Sequence, residues 1–188
     1  LIVIVGIIIA IISRASRDYP RPSRLFYVND FADSLTMGVE DAVLFYGENL
    51  YEDTKGEGEG QTQLVLVTFL IDSPADIANY NLTDLYREWK IGDNDMGLLV
   101  VIFYQESEED GITYKVPYQV SYKLGTRMEA YVTTIEVDHA IRDTINVDED
   151  PQVGALHLYV ELQRIIYDKA YADVFYQIEY TEDELETY

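Results

Sequence analysis

The stretch from Trp89 to Tyr104, W-K-I-G-D-N-D-M-G-L-L-V-V-I-F-Y, constrains the fold most. Leu98 to Tyr104 is an unbroken apolar run, rich in β-branched and aromatic residues and entered through Gly97. Such a run reads as a strand buried on both faces, which needs a covering layer on each side. The turn ahead of it places Asp93, Asn94 and Asp95 at one end of a central sheet, where helix-flanked sheets often carry their sites.

The flanking segments fill in an α/β chain. Gln63 to Leu70 predicts the first core strand. Ser73-Pro74 starts a helix: serine caps it, proline takes its first position, and Asp76 sits at its positive end. Ala78, Leu82, Leu85, Tyr86 and Trp89 form its buried stripe. Strand, helix and strand in this order predict a right-handed crossover with parallel strands. Ile112 to Tyr122 alternates, with Ile112, Tyr114, Val116, Tyr118, Val120 and Tyr122 facing one way, as an antiparallel partner. Pro117 marks it as an edge strand or the site of a bulge.

Val28 to Asp33 leads into a helix over Leu35 to Glu52, whose Gly47 weakens it by ~1 kcal/mol relative to alanine. Thr126 to Glu129 fits a capping box for a short helix, and Ile135 to Ile145 predicts another. Asp150-Pro151 starts the last helix, which runs to Ala170. Its stripe is Ala155, Leu158, Tyr159, Leu162, Ile165 and Ile166. Val174 to Tyr180 predicts a further strand or an ordered arm.

Residues 1–12 are apolar throughout and no methionine precedes them. About 20 apolar residues span a bilayer, so this stretch reads as the C-terminal part of a transmembrane helix within a longer chain. Residues 13–24 form a linker stiffened by Pro20 and Pro22 and carrying Arg14, Arg17, Arg21 and Arg24. The arginines favour a cytoplasmic flank. The α/β domain then occupies 25–172, and 173–188 is an acidic C-terminal arm.

The chain holds 35 acidic and 13 basic residues, a net charge of −22. That surface repels phosphate backbones and argues against nucleic acid. With no cysteine, disulfides, thiolate metal sites and cysteine nucleophiles are excluded. Asp30, Asp93, Asn94 and Asp95 offer oxygen ligands to a hard cation such as calcium. D-N-D-M-G is not an EF-hand loop, because its glycine comes one residue early and the twelfth position is Tyr104. His139 and His157 read as structural residues. Neither a G-x-S-x-G, a phosphate-binding G-x-x-x-x-G-K nor a G-x-G-x-x-G occurs, so no catalytic residue is assigned.

In order and spacing, several blocks resemble the TPM domain family. Its V-x-D-x-A-x-x-L motif matches Val28 to Leu35. Its helix end, l-f-r-k-W-g-i-G, matches Leu85 to Gly92. Its D-N-G turn and G-v-L-L-l-v strand match Asp95 to Val101, with Met96 in the middle of the turn. The family's later G-Y-G corresponds to Ser121-Tyr122-Lys123. The resemblance implies a three-layer, helix-flanked mixed β-sheet tethered by an N-terminal transmembrane helix and facing away from the cytoplasm. It also implies an accessory, assembly or maintenance role for a membrane protein complex, with calcium bound by some members. The alternative it raises is a divalent-metal-dependent phosphatase of low activity, in which Asp30 and Asp95 hold the metal.

Overall fold

The computed structural model describes residues 19–57, 60–145 and 150–172. The apolar stretch 1–12, Arg14, Arg17 and the acidic arm 173–188 lie outside the described residues. Among those described, no helix is long and apolar enough to cross a membrane.

The domain is a helix-flanked mixed sheet, α/β as expected. Four strands lie in the order β1 (Val28–Asp30), β2 (Gln63–Leu70), β3 (Gly97–Glu109), β4 (Ile112–Leu124). β1, β2 and β3 run parallel and β4 returns antiparallel. The helices are α1 (Met37–Asp53), α2 (Leu82–Trp89), α3 (Thr134–Thr144) and α4 (Pro151–Ala170). Leu64, Leu66, Leu98, Val100 and Ile102 pack against α1, α3 and α4 on one face. Val65, Val67, Leu99, Val101 and Phe103 pack against α2 on the other. The apolar runs of β2 and β3 thus feed two cores by simple alternation.

Both crossovers step the same way across the sheet, yet α1 and α2 cover opposite faces. The two crossovers therefore have opposite hands, and one departs from the usual right-handed rule.

Several expected details shift. The single helix expected from Ser73 is two pieces. Ser73 and Asp76 form a capping box on a 3₁₀ turn, Pro74–Asn79. Asn81 then caps α2 anew, its side chain accepting from the N–H groups of Thr83 and Asp84. The break falls at Tyr80, whose extended backbone lets its ring pack on Phe69 at 4.4 Å. Thr126 to Glu129 makes only a 3₁₀ turn without a side-chain cap; the capping box forms later, between Thr133 and Glu136 at the head of α3. α4 starts on Pro151 with Asp150 as its cap, and its expected stripe is buried.

β4 is an edge strand, and its register shifts where Phe103 pairs with Gln119 and Tyr104 with Pro117. The bulge leaves Tyr118 unpaired and reverses the alternation. Val120 and Tyr122 therefore join the α4 side, while Ile112, Tyr114 and Val116 lie opposite Glu109, Ser107 and Gln105 on the other. The single face expected for all six residues is thus divided.

Candidate functional site

The residues singled out as metal ligands occupy two separate places. Asp30 ends β1 beside Thr68. Asp93, Asn94 and Asp95 precede Gly97, which pairs with Gln63 at the far end of β2. Five strand positions separate Thr68 from Gln63, about 17 Å. The fold therefore does not bring Asp30 to the acidic turn. The turn lies at the N-terminal end of the parallel strands, whereas ligands of open α/β sheets usually sit at the C-terminal end. Among the described residues, no three His, Asp or Glu side chains are arranged to hold a metal ion.

Asp30 is occupied by the chain itself. Its carboxylate accepts from the Ser34 N–H at 2.8 Å, the Leu35 N–H at 2.8 Å and the Ser34 hydroxyl at 3.0 Å. The Thr68 hydroxyl donates to it as well, while accepting from the Ala32 N–H at 3.1 Å. This network folds the β1–α1 connection back onto β2. Nearby, the buried Tyr104 hydroxyl has no hydrogen-bond partner. Burial first, then the charges of Asp30 and Asp150, push the Tyr104 phenol up to about 12, and it stays neutral.

The acidic turn is built differently. α2 ends on Lys90 in the left-handed region, φ 53°, and Gly92 follows at φ 75°. Gly92 donates to the Gln63 side chain at 2.7 Å and Asp93 to the Gln61 carbonyl at 3.1 Å. Asn94 and Asp95 are themselves left-handed, φ 52° and 61°. A side chain at position 92 would meet the Met96 backbone at 2.4 Å. One at position 125 would meet the Asp95 carbonyl at 2.0 Å and the Tyr86 hydroxyl at 2.2 Å. Glycine at these two positions lets the turn close against β4.

The carboxylates of the turn have cationic neighbours that the sequence reading passed over. Among the described residues, Tyr86, Arg87, Lys90, Ile91, Gly92, Asn94, Asp95 and Arg127 line a pocket of about 420 Å³. The Tyr86 side chain is 4% exposed, and its hydroxyl has no hydrogen-bond partner. Burial, and secondarily Asp95, push this phenol upward, so it remains a neutral donor. The visible signal in the sequence was Arg87 and Lys90 at helical spacing beside Gly92.

His139 and His157 are exposed and line one groove between α3 and α4. The carboxylates one turn further along each helix are engaged: Arg142 donates to Asp143 at 2.9 Å, and Arg164 to Glu161 at 2.7 Å.

The linker is fastened to the α2 side. The Trp89 indole donates to the Pro20 carbonyl at 3.1 Å. The Tyr19 hydroxyl accepts from the Asn81 N–H at 2.9 Å and donates to the Asn81 carbonyl at 3.3 Å.

No protein-family model matches the chain. No curated protein is detectably similar to it. Among solved structures, it is similar to the solution structure of the N-terminal domain of a protein from P. gingivalis, at 19% identity and a TM-score of 0.54. The match covers 77% of this chain and 83% of that one. At this identity the likeness speaks for the shared fold alone.

Proposed function

We propose that this chain is a TPM-like module, membrane-anchored and facing away from the cytoplasm, that serves as an accessory or maintenance factor of a membrane protein complex. The observation that carries the reading is the docked linker. Tyr19 and Pro20 are fastened to Asn81 and Trp89, so the linker meets the domain on its α2 side. From Ile12 to Tyr19 an extended chain reaches at most about 25 Å, which would hold the α2 side close to a bilayer. Exposed apolar side chains are available to a partner on α1 (Met37, Phe45) and on the β3–β4 hairpin (Ile112, Tyr114, Tyr118).

The test is made on the full chain. It should stay with the membrane fraction after an alkaline wash, lose that property when residues 1–12 are deleted, and resist protease added from the cytoplasmic side. It should also leave mild detergent bound to other membrane proteins in fixed stoichiometry. Recovery as a lone monomer, or a domain cleaved from the cytoplasmic side, would count against the proposal. No observation favours the phosphatase alternative, since Asp30 and Asp95 lie at opposite ends of the sheet.

A further inference from the structure

We infer that the part of β3 running on past the end of β2, Gln105–Glu109, takes up a basic, extended segment of a partner protein as an added strand. This is independent of the accessory role, because only one backbone edge and its charge enter.

The topology leaves that edge open. β2 pairs with β3 only as far as Leu70 opposite Tyr104, whereas β3 continues to Glu109. Gln105 to Glu109 pair with β4 alone, at Val116 to Ile112. The resulting ribbon stands about 17 Å beyond the end of β2. Backbone direction alternates along it. The Tyr104 carbonyl accepts from the Ile71 N–H at 2.9 Å, so Tyr104 turns its peptide groups toward β2. Glu106 and Glu108 turn theirs the same way, into the space past β2. The Asp110-Gly111 turn, with φ 54° and 78°, fixes this phase independently, since a two-residue hairpin closes on a hydrogen-bonded pair, here Glu109 and Ile112. Among the described residues, none bonds the Glu106 or Glu108 backbone on the open side. A strand laid there finds the N–H and C=O groups of both at ladder spacing.

Charge selects the occupant. The outer edge of β4 carries the features that keep strands from pairing: Pro117, the bulge at Tyr118, and Lys115 and Lys123. Gln105–Glu109 has neither proline, bulge nor lysine. Its protection is negative charge, from the exposed Glu106, Glu108 and Glu109 and from Asp110 at the turn. Lys115, opposite Glu106 in register, donates to the Asp33 carbonyl at 2.7 Å. In a chain of net charge −22, these carboxylates repel a second copy and admit a basic strand. Glu106 and Glu108 lie on one face, so lysine or arginine at alternate positions of the added strand stands beside both.

The experiment uses the full chain in mild detergent at physiological ionic strength. The probe is a short fluorescent peptide of alternating lysine and valine, followed by polarisation. Saturable binding is expected. A copy N-methylated throughout keeps its charge but has no N–H to give, and should bind about tenfold more weakly or worse. Glu106→Gln combined with Glu108→Gln should weaken binding several-fold at an unchanged urea midpoint, because both side chains are exposed. Glu108→Pro removes an outward donor but no bond to β4, and should weaken binding more than Glu108→Gln does. Equal binding of the methylated copy would mean attraction to a negative surface with no added strand, and overturns the inference. Binding unaltered by the paired glutamine change puts the peptide elsewhere and overturns it too. A glutamate–valine peptide that binds as tightly as the lysine–valine one overturns the choice of a basic partner. None of these readouts depends on membrane attachment, so a failure here is distinct from a failure of the accessory role.

Discussion

Gly47 lies in the middle of α1, where helix propensity alone says that alanine should add about 1 kcal/mol. The structure reverses the sign. A Cβ at position 47 would lie 2.6 Å from the Tyr159 hydroxyl, 2.6 Å from Tyr27 Cγ and 2.7 Å from Tyr27 Cβ. Neither neighbour can yield cheaply. The Tyr27 atoms are at the root of its side chain, and Tyr159 is 1% exposed with its hydroxyl donating to the Leu64 carbonyl at 2.8 Å. Overpacking costs about 1–3 kcal/mol. Displacing the phenol sacrifices a buried hydrogen bond worth about 1–3 kcal/mol when one partner is left unpaired. Set against the propensity gain, Gly47→Ala should destabilise by about 3 kcal/mol, within a range of about 1–5. Gly38, in the first turn of the same helix, has open space around its Cβ position, so Gly38→Ala should stabilise by up to about 1 kcal/mol. Urea midpoints at unchanged slope would measure both. In a Tyr159→Phe background Gly47→Ala should cost less, because the nearest atom and its bond are already gone. If Gly47→Ala and Gly38→Ala stabilise alike, the close packing of α1 on α4 and Tyr27 is refuted.

Thr68→Val keeps the shape of the side chain but leaves the buried Ala32 N–H unpaired and removes a donor from Asp30, so a loss of about 1–3 kcal/mol in urea unfolding is expected. Trp89→Phe removes the bond to the Pro20 carbonyl, and limited trypsin digestion should then cut faster after the exposed Arg24 with the rest of the domain intact. Glu136 is held below the usual 4.5 by the Thr133 backbone N–H first and by Lys169 second. Its folded value is depressed, so its contribution is present above the ordinary carboxylate range and is lost as pH falls through the folded value. Glu136→Gln should therefore lower the urea midpoint at neutral pH, with variant and parent converging once the pH has fallen below the depressed folded value.

The central strands were legible because their signal is local. β2 and β3 are continuous apolar runs, and a strand buried on both faces has no other way to read. α4 was legible for a similar reason, with Asp150 and Pro151 marking its start and a full stripe behind them. What the sequence hid depends on contacts from elsewhere. β1 is only Val28–Asp30, too short for alternation to register, and it exists because β2 pairs with it. The break at Tyr80 follows from a ring seated on Phe69 and Phe103. Pro117 announced an irregularity but not the extra residue at Tyr118, which turns the two ends of β4 to opposite faces.

The candidate site shows the same division in its electrostatics. D-N-D reads as an acidic turn, and in sequence it is one, with two carboxylates inside a chain of net charge −22. Net charge is a sum over the chain, while the sign of a pocket is decided by what the backbone turns toward it. Lys90 would continue up the exposed side of a longer α2. The left-handed cap at Lys90 and the positive φ of Gly92 instead bend the chain so that Lys90 and Arg87 border the turn. Arg127 arrives from beyond β4, at a distance in sequence that no motif spans, through the close approach of Gly125 to Asp95. Removing the bend should therefore change the pocket's charge without altering composition. Exchanging Gly92 for alanine does this directly, since its Cβ would strike the Met96 backbone. The urea midpoint should then fall by the equivalent of about 1–3 kcal/mol even though every charged residue is retained, and an unchanged midpoint would show that the bend does not depend on glycine.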